Sequence, residues 1–562
     1  MSVGSRSAAE LLVDCLVEQG TDRIFTVPGE SFLAVLDALH QRSTIETITC
    51  RQEGGAAFMA CADGALSAAD TLKPGVAFVT RGPGATNASI GVHVAHQDSQ
   101  PMILFVGDVA RPMGDREGFQ EIDFAAFFGP ICKWAARIDD AARIPEYVAR
   151  AYSVAVSGRP GPVVLALPED MLCDAVPDAL KPRPAVTRPA QAVCPDAMQA
   201  MLALIADAAS PVAIIGGAGW NAKAREHFQV FAERIGLPVA TAFRRQDAIS
   251  PSSPVYAGNL GYGPNPKLVE RVKQADLVLA VGARLGEATT DGYTFPTLEH
   301  PDQILIHVHP DPDELGRVYR ADLSLACAVD EFAEAAALWE DDAIIPFDAG
   351  QEAHRDWEDW CKHTPSDRPP ALDMGACVTA LREAWPPDTI IANGAGNFAG
   401  WWHRYWRYDG HPTQLAPTAG AMGYGLPAAV AAALRYPDRS VVAVAGDGDF
   451  LMNGQELATA AQFGVDLLVL IVDNGAYGTI RMHQEREYPG RVSATELSNP
   501  DFAALGSAYG AWSTRVETTE GFAEALAEAR NQKGLRLIHM VIEVEQLAAS
   551  GATVSGLRAN SR

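Results

Sequence analysis

The sequence predicts an α/β protein made of three doubly wound parallel-sheet domains. Three observations carry that prediction. Short apolar, β-branched runs recur along the whole chain, as buried parallel strands require. Most of them stop at turns rich in Gly, Asp or Asn. Helical patterns stand between them, so strands and helices alternate. The length of 562 residues gives room for roughly three to four ordinary domains, and 48% hydrophobic residues supply large cores.

Charge and cysteines narrow the class. Lys and Arg number 44 against 70 Asp and Glu, a formal charge of −26. That argues against nucleic acid and anionic membrane as partners. Nine cysteines are scattered without CxxC or zinc-type spacing, which suits reduced thiols. The N-terminus turns almost at once into an amphipathic helix pattern, with no h-region or cleavage site. No uncharged run approaches the roughly 18 apolar residues of a membrane span. The expectation is a soluble, cytoplasmic protein.

The first segment, 1–185, begins with a helix over 10–19 closed by Gly20. A strand over 23–27 runs into Pro28-Gly29-Glu30, and Ser31 is placed to cap a helix over 32–40. Residues 44–50 are β-rich. Glu53 follows at a strand end and helix start, where the helix dipole favours a carboxylate. Residues 54–68 read as a helix of small side chains. A strand over 76–80 ends at Arg81-Gly82-Pro83-Gly84-Ala85-Thr86-Asn87, another falls at 102–107, and the stretch 158–165 closes the domain with a buried strand. His93 and His96 lie three apart on a helical pattern but lack a third metal ligand.

Pro182, Pro184 and Pro189 mark a stiff linker. The middle segment, 190–345, has strands at 212–215, 238–242, 277–281 and 304–308. Gly216-Gly217-Ala218-Gly219 follows the first of them, a weak dinucleotide signal in a Rossmann-like pattern.

The last segment, 365–548, has a strand over 389–392 that ends at Asn393-Gly394-Ala395-Gly396-Asn397. Its centre is residues 439–481. A buried strand over 440–445 stops at Gly446-Asp447-Gly448. Asn453 and Glu456 have capping-box spacing for a helix to about Phe463, with Gly464 at its C′ position. A second strand over 467–472 ends at Asp473-Asn474-Gly475. Gly446 and Gly448 let backbone N–H groups approach a diphosphate. Asp447 and Asn474 are hard oxygen ligands on neighbouring strands, suited to the Mg²⁺ octahedron. Each turn alone is an ordinary Gly/Asp turn; both across one strand–helix–strand unit point to a site. Tyr477, Arg481, His483 and Gln484 follow at its mouth. The tail, 549–562, reads as a loose or lid-like segment.

Gly446-Asp447-Gly448 with Asp473-Asn474 resembles the GDG…NN motif of thiamin diphosphate (ThDP) enzymes. VPGE (27–30), RQEGGAAFMACADGAL (51–66), VTRGPGATNASIG (79–91) and GRPGPV (158–163) resemble, in order, the pyrimidine-binding domain of the acetolactate synthase and pyruvate oxidase group. Gly118-Phe119-Gln120-Glu121, Lys133-Trp134 and GAMGYGLP (420–427) resemble the same group. The resemblance implies a pyrimidine-binding domain, a middle Rossmann-like domain and a diphosphate-binding domain. It implies that Asp447, Asn474 and the carbonyl of Ala476 hold Mg²⁺. It implies that Glu53 hydrogen-bonds N1′ of the aminopyrimidine, that Gln120 lies beside the substrate, and that Met422 wedges the cofactor into its bent form. The cofactor set it implies is Pro28, Gly29, Glu53, Asn87, Gly396, Asn397, Gly420, Met422, Gly446, Asp447, Gly448, Asp449, Asn474, Ala476, Tyr477 and Gly478. His96, Arg481 and Gln484 are candidates for the substrate.

In that family the cofactor lies between two subunits, so a dimer or a dimer of dimers is implied. The reaction implied is acetolactate-type carboligation: a 2-oxo acid loses CO₂ and the remainder joins a carbonyl acceptor. Other 2-oxo acid decarboxylation, benzaldehyde-lyase-type cleavage and oxalyl-CoA decarboxylation are rivals. So, from another class, is a flavin-dependent pyruvate oxidase. Glyoxylate carboligase lacks the glutamate, so Glu53 argues against it. The middle domain resembles FAD-binding segments only loosely, and a structural role is favoured over FAD. Several positions depart from the family. Asp473 stands for the first Asn and Asn397-Phe398 for Gln-His. Glu169 stands for a lysine. No His-His pair occurs in 108–118, and no Trp between 477 and 511.

Overall fold

The computed structural model describes residues 5–42, 44–69, 71–298, 303–339, 346–365 and 369–560. The end of the middle segment at 345, the first four residues and the last two lie outside them. Three six-stranded sheets organise the chain, each parallel throughout. The nine cysteines are free thiols, seven of them buried. No helix among the described residues is long and apolar enough to cross a membrane.

Packing divides the chain into two compact units. One comprises the chain up to Pro189 together with Val430–Arg435 and Asn453–Phe463. Its sheet has the order Glu46–Thr49, Arg23–Thr26, Gly75–Val79, Met102–Asp108, Pro162–Pro168, Trp134–Arg137. Numbered along the chain this is 2-1-3-4-6-5. Gly75–Val79, Met102–Asp108 and Pro162–Pro168 are buried along their whole length, as sheet centres covered on both faces are. Helix Ala8–Glu18 is closed by a full capping box between Ser7 and Glu10. At its other end Gln19 Nε2 donates to the carbonyls of Arg183 and Pro184 (3.1 Å each), and its Oε1 accepts the Val186 N–H at 2.9 Å. The proline-marked linker is therefore tied down where it leaves the sheet.

Two local expectations fail here. Ser31 caps no helix: it sits buried in a 3₁₀ turn, Glu30–Phe32, with its hydroxyl 2.9 Å from that of Thr80. Asn453 and Glu456 form no capping box. The first helix of that stretch is Asp447–Asn453, Gly454–Glu456 is a 3₁₀ turn, and a second helix runs over Leu457–Gln462. Glu456 is fully buried and bonds elsewhere.

The second unit holds two sheets. One has the order Tyr256–Asn259, Val239–Thr241, Pro211–Ile215, Leu277–Val281, Ile304–His309, Leu323–Ala326, or 3-2-1-4-5-6. That is the dinucleotide-binding order. The other has the order Gln414–Leu415, Ile390–Asn393, Val441–Gly446, Leu467–Asp473, Leu535–Val541, Trp512–Val516. It repeats the 2-1-3-4-6-5 order of the first unit. The tail is not loose throughout. Residues 554–560 form helix Val554–Asn560, and Arg558 makes two 2.8 Å bonds to buried Glu485.

Candidate active site

Ligands of open parallel sheets bind beyond the carboxyl ends of the strands, where the strand order reverses. In the first unit the reversal falls between Arg23–Thr26 and Gly75–Val79. The residues just past those ends are Pro28-Gly29-Glu30 and Arg81-Gly82. Pro28 is exposed. Gly29 lies so close to Thr80 that a Cβ would stand 2.5 Å from the Thr80 Cβ. Glu53 is the first residue of helix Glu53–Ser67, half-buried, and its Oε2 accepts from Asn87 Nδ2 at 2.9 Å. Asn87 belongs to helix Gly82–Gln97. Gln120 takes a left-handed backbone, φ 64°, and its carbonyl accepts the Gly82 N–H at 2.9 Å. The loop before it is folded around Glu121, which accepts from the N–H groups of Asp115 (2.6 Å) and Gly118 (2.8 Å). Glu53, Asn87, Gly82 and Gln120 are thus linked at one sheet edge. Arg81, buried beneath them, pairs with Glu30 at 3.2 Å and Glu169 at 3.1 Å. The carboxylate that replaces a lysine at 169 has its own cation.

His96 stands apart. It lies in the last turn of helix Gly82–Gln97, about 20 Å along the axis from Gly82 at 1.5 Å per residue. The helix runs back along the sheet, so His96 is carried away from the edge that holds Glu53.

In the last sheet the reversal falls between Ile390–Asn393 and Val441–Gly446. Asp447 opens helix Asp447–Asn453 and is buried. Asn474 is the first residue past the adjacent strand, Leu467–Asp473, its Oδ1 accepting the Ala476 N–H at 3.1 Å. Asn499 joins the two strand ends. Its Nδ2 donates to Asp447 Oδ2 at 2.7 Å and to Asp473 Oδ1 at 2.8 Å. Asp473, in place of the usual Asn, has a matched partner: His539 Nε2 lies 2.9 Å from its Oδ2. Burial raises the Asp473 pKa, but bonds from His539, Gly475 N–H and Asn499 outweigh it and hold the carboxylate low. Asp447 goes the other way: burial, with Asp473 close by, pushes it up to about 6.

Asp449 is fully buried. Its Oδ1 accepts from Gly423 N–H at 2.8 Å and Ala395 N–H at 3.0 Å, and burial pushes its pKa up to about 7. Gly394 is required beside it, since a Cβ there would stand 2.0 Å from Asp449 Oδ1. Gly448 faces Tyr477 at 2.5 Å and Gly478 faces Asn474 at 2.7 Å by the same measure, Gly446 faces Phe398 at 2.9 Å, and Gly420 faces open space. Met422 is half-buried in the segment before helix Gly425–Arg435. Gly396 leads into Asn397, whose amide is engaged internally. Its Nδ2 donates to Leu547 O at 2.8 Å and its Oδ1 accepts from Thr479 Oγ1 at 3.1 Å.

Two substrate candidates are likewise engaged. Arg481 is buried against Glu485 at 2.8 Å. Gln484 donates to Ser493 O and accepts from Thr495 Oγ1. The sequence pointed to neither Asn499 nor His539: both lie far along the chain from Asp447, and no local pattern marks them.

Among the described residues, buried oxygens without a partner cluster at this edge: Asp449 Oδ2, Asn393 Oδ1 and Asn499 Oδ1. Buried acceptors left open are costly, and a cation bound at this edge would offset that cost. The residues present therefore fit a metal-bound diphosphate. In the middle sheet the reversal falls between Pro211–Ile215 and Leu277–Val281. The cavity nearby is about 190 Å³, lined by Arg284, Tyr293, His307, Glu314, Arg317 and Tyr319. Glu314 pairs inside it with Arg284 and Arg317.

Sheet order and site together fit a diphosphate-cofactor enzyme of the α/β class. Family models agree. The description "Thiamine pyrophosphate enzyme" matches over residues 6–127 (N-terminal TPP binding domain), 198–336 (central domain) and 394–540 (C-terminal TPP binding domain). The chain is 33% identical to the acetolactate synthase large subunit of Parasynechococcus marenigrum, over 93% of this chain and 85% of that one. It is 29% identical to the acetolactate synthase of Bacillus subtilis, covering 96% and 94%. It is also 29% identical to the large subunit of Escherichia coli acetolactate synthase isozyme 3, covering 96% and 95%. The chain belongs to the thiamine pyrophosphate enzyme family. It is a ThDP-dependent enzyme of the carboligase or transferase type, similar to acetolactate synthase large subunits over most of its length.

Proposed function

We propose that the enzyme condenses two molecules of pyruvate into 2-acetolactate with loss of CO₂, using ThDP and Mg²⁺. The carrying observation is that Asp447 and Asn474 follow the ends of two adjacent parallel strands, beside open, buried acceptors. In this reading Asp447, Asn474 and the Ala476 carbonyl hold Mg²⁺. Gly396, Gly420, Gly446, Gly448, Tyr477 and Gly478 shape the diphosphate cradle, and the backbone at Asn397 faces it. Asp449 braces the cradle from below. The Asp447 carboxylate, pushed up by burial, would ionise fully against the cation.

When bound, the cofactor would supply an acidic thiazolium carbon as nucleophile and electron sink for loss of CO₂ from a 2-oxo acid. Glu53 holds a proton at the ring nitrogen of the aminopyrimidine, and Asn87 fixes the carboxylate that does so. Met422 supports the cofactor's bent form. Gln120, held in its left-handed turn, is the side chain this reading assigns to the substrate. His96, Arg481 and Gln484 take no part in this reading, because each is remote or internally bonded. The middle domain is read as structural: the cavity beside Arg284 is smaller than the several hundred Å³ of ordinary ligand sites, and its charged groups, Glu314 with Arg284 and Arg317, are spent on one another. Self-association as a dimer or dimer of dimers belongs to the reading, supported by relatives named as large subunits.

The test is product analysis from a panel of 2-oxo acids with ThDP and Mg²⁺ present or withheld. Acetolactate formed from pyruvate only when both are present supports the proposal. CO₂ without a coupled product indicates a decarboxylase. No CO₂ from any 2-oxo acid, with cofactor bound, indicates a lyase or acyl-CoA substrate. Flavin reduction by pyruvate indicates an oxidase.

A further inference from the structure

The turn that delivers Glu53 is held by a carboxylate that comes from some 400 residues away. Glu456 is fully buried. Its Oε1 accepts the backbone N–H of Arg51 at 3.1 Å and of Gln52 at 3.0 Å, and its Oε2 accepts the Thr459 hydroxyl at 2.5 Å. Arg51 and Gln52 are the two residues immediately before Glu53. Their N–H groups precede the helix, so no intrahelical carbonyl serves them. Gln52 itself caps the helix, its Oε1 accepting the Gly55 N–H at 3.0 Å. Arg51 adds a second tie to the same segment, Nη2 to Gln462 Oε1 at 2.6 Å.

Gly55 explains why this contact is so close. A Cβ at Gly55 would stand 2.6 Å from Glu456 Oε1. The Gly54-Gly55 pair after Glu53 is thus the imprint of Glu456 and of the Gln52 cap, not only of tight helix packing. Glu53 is held at both ends: its side chain by Asn87, its main chain by Glu456.

We infer that Glu456 is a positioning residue, which fixes the backbone at Arg51-Gln52 and so sets where the Glu53 carboxylate meets the aminopyrimidine ring. This rests on the role proposed for Glu53. Proton transfer between Glu53 and a ring nitrogen needs hydrogen-bond geometry, and a misplacement of about 1 Å can cost up to about 100-fold.

The geometry also separates shape from charge. In Glu456→Gln the amide oxygen keeps both backbone N–H groups, and the amide NH₂ donates to Thr459 Oγ1. In Glu456→Ala both N–H groups lose their acceptor. In Gly55→Ala the new methyl displaces the carboxylate without removing it.

The readout is the rate at which the C2 hydrogen of bound ThDP exchanges with deuterium, measured at saturating ThDP and Mg²⁺. Thermal unfolding and ThDP affinity are measured on the same samples. Expected are a loss of about 10–100-fold in exchange for Glu456→Ala and for Gly55→Ala. Glu456→Gln stays within a few-fold of the parent, and ThDP affinity changes little. If Glu456→Ala folds and exchanges at the parent rate, the inference is overturned. It is equally overturned if Glu456→Gln falls as far as Glu456→Ala, since charge and not position would then matter. A parent protein that binds no ThDP, or a Glu53→Gln protein that exchanges normally, instead overturns the reading of Glu53.

Discussion

Asp449 Oδ1 accepts the backbone N–H of Gly423 at 2.8 Å. The same oxygen holds Ala395 N–H at 3.0 Å. One buried carboxyl thus ties the helix that opens at Asp447 to the turn after Ile390–Asn393 and to the segment carrying Met422. Asp449→Ala leaves two buried N–H groups without an acceptor, and the expected loss is about 2–4 kcal/mol. Asp449→Asn keeps an acceptor oxygen in place and costs less, because burial already pushes the native carboxyl up to about 7. Urea unfolding of both variants checks the order; equal losses would contradict it.

The pairing of Glu485 with Arg481 and Arg558 anchors the C-terminal helix. Glu485 is buried and its pKa is held down to about 2, chiefly by Arg558. Its contribution is present above the usual carboxylate pKa and is lost as pH falls through about 2. Glu485→Ala strands Arg481 as a buried unpaired cation and releases helix Val554–Asn560. The expected loss is about 2–4 kcal/mol, with faster tryptic cleavage at Arg558. Unchanged cleavage would show that the helix is held by other contacts.

Much of this architecture was legible in the chain because parallel sheets have a plain local signature. Strands such as Val441–Gly446 and Leu467–Asp473 are uninterrupted β-branched runs, and the turns after them carry the site's polar residues. What escaped was long-range. Asn499 and His539 reach Asp447 and Asp473 only through the fold, and nothing near them in sequence marks a role. The capping box at Asn453 and Glu456 failed because a tertiary demand, the two free N–H groups before Glu53, drew the carboxylate away from local capping. Arg481 and Gln484 read as site residues by nearness in sequence to Asn474, but their side chains are turned to Glu485, Ser493 and Thr495.

His403 supplies a pH test. It is fully buried beside Arg244, and burial first, then the guanidinium, lowers its pKa to about 3. Its unfolded value is near 6.5. The unfolded chain therefore binds the extra proton first, and stability falls as pH drops from about 6.5 toward 3. Asp447 and Asp449, held above their ordinary values, act in the opposite sense over part of that range. The difference between the parent and His403→Leu isolates the histidine. The parent should lose a few kcal/mol more unfolding free energy than His403→Leu between pH 7 and 4. A constant difference would contradict the buried neutral imidazole.

In the proposed function, Asp447 anchors a cation-bound diphosphate at the switch point of the last sheet. Calorimetric titration with ThDP, with and without Mg²⁺, tests it most directly when run on the parent and on Asp447→Ala. Expected are tight, Mg²⁺-dependent binding by the parent and at least about tenfold weaker binding, without the Mg²⁺ dependence, by Asp447→Ala. Equal affinity and equal Mg²⁺ dependence in the two proteins would contradict it.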